Sequence, residues 1–462
     1  MSRLHSRRSL VPLGAFCFAS AALFAAPAKP AGPATPATPP AKLAVTGPAT
    51  ILEWSPAVAP GGARSDQNAV VTVRIIVDET GAISAARVLD GSGAQGKAAL
   101  EAIRKWKFSP ATDEGKPVAT CLDVPFVFSP LPPKPSLLPP SFLMPKPAPR
   151  SVAVKKSTPL GEYPESLLGR GIPGRIVFQC KIGADGRPLA APVIHAASHV
   201  DFVLPAVASS PQWEFQPAMQ GDLPIVADVR GEVAYEDRPT TVAAALAANG
   251  ITAPDGSAPV HQPQPRVVVE PVWPHDLLLL GEGGSAEVTF TVEPNGRVNN
   301  IAVKSATHPA FGSALAAAME MWIFEGALEN GRGVTAALRK RAEFKAIPAD
   351  ASDDSDPMAR LVRLERAKSI RGGAGLDQAL QPLYRVAPLF PAALAGDGKR
   401  AGQSTIEFVI DRDGRVRLPR IVSASNPALG WSAATAIGQW VFRAPVRGGQ
   451  PTEVKVALPI TF

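Results

Sequence analysis

At 462 residues the chain is long enough for about three domains of ~150 residues. Its 50 prolines and 39 glycines, about 19% of the whole, fall short of the ~25–30% that marks wholesale disorder. Charged residues make up 19% and the net charge of +7 is spread along the chain without a long Lys/Arg tract, which excludes a nucleic-acid footprint and fits a solvated surface. Folded modules joined by Pro-rich connectors remain.

Arg3, Arg7 and Arg8 precede an apolar run from Leu10 to Ala26 that ends in small residues, the layout of a secretory signal peptide over residues 1–28. The run sits at the lower edge of the ~17–25 residues that span a bilayer, and Pro12 and Gly14 weaken it as a helix, so an uncleaved anchor is the alternative. Cys17 belongs to this segment. Residues 29–49 form a Pro-rich linker.

Four times a strand-like alternation then runs into a turn closing on Gly, followed at a fixed distance by Trp-x-Phe. The pairs are Gly81 with Trp106 and Phe108, Gly186 with Trp213 and Phe215, Gly296 with Trp322 and Phe324, and Gly414 with Trp440 and Phe442, at separations of 25, 27, 26 and 26. Successive tryptophans lie 107, 109 and 118 residues apart, the length of small tandem domains rather than of a solenoid repeat. Four repeats follow: 50–128, 151–237, 265–347 and 379–462.

The third repeat shows the unit. Val288, Phe290 and Val292 alternate with polar residues, and Asn295-Gly296 predicts a type I′ hairpin, in which both central residues need φ > 0. Val298 to Lys304 returns as a second strand. Leu315, Ala318, Met319 and Trp322 then fall on one helical stripe, as do Ala99, Ala102, Ile103 and Trp106 in repeat one and Ala433, Ala436, Ile437 and Trp440 in repeat four. In repeat two Pro205 and Pro211 leave room for one or two turns. A last strand closes each unit. The eight Trp-x-Phe aromatics are expected in the core, which a domain of ~80 residues needs.

Strand, strand, helix, strand predicts an α+β fold of tandem two-layer domains, each a three-stranded antiparallel sheet with one helix packed on it. A hairpin followed by a right-handed crossover makes strand one central and leaves strand three as an edge. Pro125 and Pro459 agree, since proline in a strand is confined to edges or bulges.

The connectors differ in kind. Residues 129–150 read as a Pro-rich spacer and 238–264 as a linker. Residues 348–378 run from an acidic cluster into Asp356-Pro357, a helix start, and then a basic amphipathic helix ending near Gly372 that either packs on repeat four or touches anionic lipid.

These features resemble the TonB C-terminal domain family. The closest stretch is Ala98 through Trp106-Lys107-Phe108-Ser109-Pro110 with Val124-Pro125-Phe126, joined by the aromatic-Pro pairs Tyr163-Pro164, Trp273-Pro274 and Phe390-Pro391. Repeat one departs with Trp54-Ser55-Pro56, and the resemblance covers about three quarters of the chain. It implies a periplasmic, non-enzymatic domain in the transmembrane transport pathway that adds a peptide of an outer-membrane TonB-dependent receptor to its last strand. An open edge supports that mode independently, by offering unpaired N–H and C=O groups. The family's energy transducers have a functional histidine in an uncleaved anchor; residues 10–28 here have none. Energy transduction is therefore the alternative reading, and a scaffold built by inter-repeat or homotypic strand pairing is the second. Contact with membrane would come only through an uncleaved N-terminus.

No catalytic, cofactor or metal site is expected. His195 and His199 lie four apart, but His199 aligns with His308 and Asn426 at a loop suited to capping geometry. Strand phase puts Cys180 toward a core and Cys121 outward beside Asp123, which argues for two free thiols rather than a disulfide. Aligning the last strands by Phe128, Tyr235, Phe344 and Phe462 sets Pro125 and Pro459 opposite Glu232 and Arg341. Proline lacks the donor an added strand needs, so binding is expected at repeat two or three, through Glu232, Val233 and Tyr235 or Arg341, Ala342 and Phe344.

Overall fold

The protein, seen in a computed structural model, is described over residues 47–55, 57, 69–90, 93–128, 145–235, 241–347, 356–397 and 401–462. The expected signal peptide with Cys17, and most of the 29–49 and 129–150 linkers, lie outside the described residues. No helix among the described residues is long and apolar enough to cross a membrane.

Repeat one contains β1 (Ala69–Val77), β2 (Ile83–Asp90), α1 (Ala94–Ile103) and β3 (Thr120–Phe128), followed in the linker by β4 (Lys146–Pro147). Repeat two has β5 (Gly174–Ile182), β6 (Val193–Ala197), α2 (Val203–Ser209) and β7 (Ala227–Tyr235), and the next linker contributes α3 (Val242–Ala248) and β8 (Ile251–Thr252). Repeat three opens with α4 (His275–Leu280) and continues through β9 (Gly284–Val292), β10 (Val298–Ala306), α5 (Pro309–Glu320) and β11 (Ala336–Phe344). After α6 (Pro357–Arg366), repeat four has β12 (Pro382–Tyr384), β13 (Gln403–Ile410), β14 (Val416–Ala424), α7 (Pro427–Gly438), β15 (Val441–Phe442) and β16 (Val454–Thr461).

The first long strand lies between the second and the last in each repeat. The sheets read β2-β1-β3-β4, β7-β5-β6-β12-β15, β8-β11-β9-β10 and β14-β13-β16. Among the described residues a three-stranded sheet, expected throughout, occurs in repeat four alone. Linker strands extend repeats one and three at the last strand, while repeats two and four join through one parallel bridge, Ile194 to Tyr384. The 129–150 spacer and the 238–264 linker therefore supply sheet.

The Gly-to-Trp-x-Phe spacing has a steric cause. Each turn glycine has positive φ, and a Cβ added there would meet the carbonyl oxygen of the Trp-x-Phe phenylalanine at 2.2, 2.1, 1.8 and 2.0 Å in repeats one to four. The backbone N–H of Phe215, Phe324 and Phe442 donates to the glycine carbonyl in turn. The type I′ turn expected at Asn295-Gly296 is not formed: Gly296 has φ 79, Asn295 is absent from the positive-φ residues, and Gly296 N–H donates to Glu293 O at 2.8 Å. One left-handed residue closing a turn is the three-residue hairpin loop, which needs only the glycine.

All eight Trp-x-Phe aromatics are buried. Each indole N–H is satisfied by the strand or loop that precedes the sheet: Trp106 donates to Ser55 O, Trp213 to Pro159 O, Trp322 to Val269 O and Trp440 to Val386 O, at 2.8, 3.1, 2.8 and 2.8 Å. A buried donor left unpaired would be costly, so these bonds also fix where each entry segment lies. The aromatic before proline then packs on the end of the last strand, Tyr163 on Tyr235, Trp273 on Phe344 and Phe390 on Phe462.

His199, His308 and Asn426 are helix N-caps whose side chains accept from Asp201, Ala310 and Ala428 N–H. Asp356 likewise accepts from Met358 N–H at 2.8 Å. Its helix, α6, ends at Arg366 rather than near Gly372, because Lys368 turns left-handed at φ 49 and its N–H and that of Ser369 bond back to Glu365 and Leu364. Leu361 and Val362 of α6 are buried against Leu278 of α4 and against Val409 and Leu418 of repeat four. Packing, not lipid, occupies its apolar face.

Cores are shared unequally. Repeat one has a core of its own, whereas repeats two and three form one continuous core that also takes in Tyr384, Ala436 and Val441 of repeat four. Helices α5 and α7 pack together, so α7 is buried on both faces from Leu429 to Ile437. The repeats were expected as modules on connectors; repeats two to four are instead fused. Repeat one meets repeat two through a smaller, polar seam. There Arg74 forms a bidentate pair with Asp123 at 2.7 and 2.9 Å, and Arg87 reaches Asp222 on the 218–225 hairpin. Cys121, expected outward, is fully buried in this seam: Gly221 of repeat two, with φ 59, comes so near that a Cβ would stand 2.8 Å from the Cys121 sulfur. Cys121 and Cys180 are both free, and burial raises both thiol pKa values, that of Cys180 to about 11.

The seam between repeats two and three buries a cation. Lys340 occupies an inward position of β11, donates to Asn249 O at 2.6 Å and stands 5.1 Å from the Trp322 ring centre. Burial lowers its pKa from 10.5 to about 8, against the opposing charge of Glu270. Between those values the unfolded chain holds a proton that the folded one releases, so this group's contribution to stability rises with pH. Melting curves of the parent and Lys340→Met from pH 8 to 10 should show the parent gaining on the variant. A constant gap would mean that Lys340 titrates normally.

Candidate functional site

Four last strands could receive an added strand, and backbone direction decides which of them can. In an antiparallel strand the N–H and C=O of one residue point to the same side, and alternate residues point outward. One hydrogen bond to a strand's backbone therefore fixes the phase of each edge.

In repeat one, Cys121 O accepts from Ala148 N–H across the outer edge, so Asp123 and Pro125 also face outward. Strand β4 already pairs there with Leu122 and Asp123, and Pro125 has no donor. In repeat four, Lys455 N–H donates outward to Arg371 O, which sets Ala457, Pro459 and Thr461 on the same side. The edge keeps donors at Ala457 and Thr461 and lacks one between them. Neither β3 nor β16 has a register shift, so the missing donors do face outward.

Repeat three is closed differently. Arg341 N–H donates to Gly250 O at 3.1 Å, and β8 pairs Ile251 with Lys340 and Thr252 with Arg339. Helix α3, capped by Thr241, and buried Leu246 hold this covering strand in place. The edge expected open at Arg341, Ala342 and Phe344 is thus occupied by the chain's own 250–252 segment. Phe344 is buried and Ala342 half-buried.

Repeat two differs from the other three. Strand β7 ends its five-stranded sheet, runs nine residues without a register shift, and has no strand on its outer side among the described residues. Glu232 O accepts from Lys155 Nζ at 3.2 Å, which shows that Glu232 faces outward and with it Asp228, Arg230 and Ala234. All four are exposed. Val233 and Tyr235, named with Glu232 from the sequence, point the other way and are buried in the core. Tyr235 anchors the strand end through Phe202 and Tyr163, and burial raises its pKa to about 12.

Sequence reasoning missed Asp228, Arg230 and Ala234, although the alternation that exposed Glu232 contained them. It also missed Lys155, whose ammonium covers the outward carbonyl of Glu232. Glu232 is held by Arg175, with Nε to Oε1 at 2.5 Å, on the exposed face. The arrangement can bind backbone.

Comparison with known families gives a match to the profile described as Gram-negative bacterial TonB protein C-terminal over residues 62–130, 160–236, 269–346 and 386–462, about two thirds of the chain. A search of curated proteins found no match.

Proposed function

Since the chain belongs to the Gram-negative bacterial TonB protein C-terminal family, with four copies of the domain, we propose that it is a non-enzymatic periplasmic protein that binds an envelope partner by strand addition to β7. The family is one of protein interaction in the envelope, and an outer-membrane TonB-dependent receptor is the partner class it suggests. The observation that supports repeat two is the row of exposed outward residues Asp228, Arg230, Glu232 and Ala234, beside which no strand lies among the described residues. Each backbone hydrogen bond formed there would stabilise the complex by roughly 0.5–1.5 kcal/mol net, and four to six of them make a specific but reversible contact. Repeats one and three, with covered edges, then serve as fixed parts of the body that carries repeat two.

Photo-cross-linking in the envelope tests this. A benzoylphenylalanine placed at Ala234 should give an adduct with an outer-membrane protein, and one at Ala457 should give little. Adducts at Ala457 with none at Ala234 would move the binding edge to repeat four.

A further inference from the structure

The exposed face of β7 carries alternating charge: Asp228, Arg230 and Glu232. Their neighbours on β5 are unequal. Lys181 lies opposite Asp228, and Arg175 reaches Glu232, so each acid has a cation on its inner side. Opposite Arg230 is Gln179, a neutral amide already engaged with the His195 ring at 3.0 Å. Arg230 also acts on that histidine, whose pKa is lowered first by burial and then by this guanidinium. The cation at the centre of the edge thus finds a neutral amide and a histidine on its inner side, and the place left for an anion is the outer one. On the other face, Val229 and Gly231 are half-buried and Val233 is buried, an apolar strip along the same edge.

We propose, resting on strand addition at β7, that the accepted segment is an extended peptide with an acidic residue opposite Arg230, basic residues two positions to either side, and apolar residues between. Directly opposed unlike charges stabilise a strand pair and like charges destabilise it. The basic positions meet Asp228 and Glu232, and the two apolar ones lie along Val229 and Gly231. The pattern is symmetric about its acid, so it is the same for parallel and antiparallel addition.

The test uses the full chain and two labelled nine-residue peptides, one centred on Lys-Val-Glu-Val-Lys and the other on its reversal, Glu-Val-Lys-Val-Glu. The first should bind roughly tenfold more tightly at low salt, a gap that narrows as salt rises. Arg230→Glu should shrink the preference, and Glu232→Pro, checked for an unchanged melting temperature, should weaken binding of both by at least about tenfold. Equal affinities still weakened by Glu232→Pro, or a preference untouched by Arg230→Glu, would overturn the charge pattern and leave strand addition standing. Binding of neither peptide, with a dimer that Glu232→Pro dissociates, would overturn both in favour of a second copy of this chain as occupant of the edge.

Discussion

Trp322→Ala is expected to destabilise the chain by about 3–5 kcal/mol, the cost of emptying a fully buried large side chain, and to lower the unfolding of repeats two, three and four together. Trp322 is buried in a core that includes residues of all three repeats, among them Phe178, Phe290 and Val441. It also shields Lys340, so its loss leaves that ammonium without its aromatic cover. Trp106 is buried as well, but in the separate core of repeat one. Calorimetry of the two variants separates the cases. Trp106→Ala should lower one transition and leave a larger one at the parental temperature; Trp322→Ala should lower the larger one as a unit. If repeat four kept its parental transition in Trp322→Ala, the shared core would not be cooperative.

Glu232→Pro should weaken peptide binding at repeat two by at least about tenfold, the worth of one lost hydrogen bond together with the clash of the ring at the approach. The fold should tolerate it. Glu232 N–H faces away from β5, and repeats one and four carry proline at the matching outward positions Pro125 and Pro459 of unshifted strands. Glu232→Ala, which removes the carboxylate and keeps the donor, separates the backbone effect from the loss of the Arg175 pair and should retain binding. The reverse change, Pro459→Ala, restores a donor to β16 and should give repeat four weak binding, because Lys455 N–H is already taken by Arg371 O. Isothermal titration of the four chains measures all of this.

Much of the unit was legible because local physics sets it. Hydrophobic period, the Gly turn and the crossover rule lead to a central first strand, and the helical stripe leads to the buried tryptophans. The turn at Asn295 was misread because Asn-Gly is shared by hairpins that need one or two left-handed residues, and the approach of the Phe324 carbonyl, which selects one, is not a local feature. The fusion of repeats two to four was hidden for a related reason. On α7 Ala434 and Thr435, off the stripe of Ala433, Ala436 and Ile437, are buried as well, and residues so small read as a solvated back face until a second helix is known to pack on α7.

The site was half legible. Alternation and the two prolines pointed to Glu232, and alignment of strand ends carried Arg341 with it on equal terms. What separates the two is a strand from outside the repeat, Ile251–Thr252, whose pairing depends on where α3 directs the linker. The run Val242 to Ala248 after Thr241 did carry a helix signal, with a cap and high-propensity alanines, and would have warned that the linker has structure.

Amide hydrogen exchange of the full chain, with and without a bound receptor-derived peptide, bears most directly on strand addition at repeat two. The amides of Asp228, Arg230, Glu232 and Ala234 should exchange fast in the free protein, since they face outward with no strand beside them. They should become protected together when the peptide binds, with little change at Arg341 or Ala457. Protection arising instead along 455–461 or 337–343, with 228–234 still exchanging freely, would contradict the account.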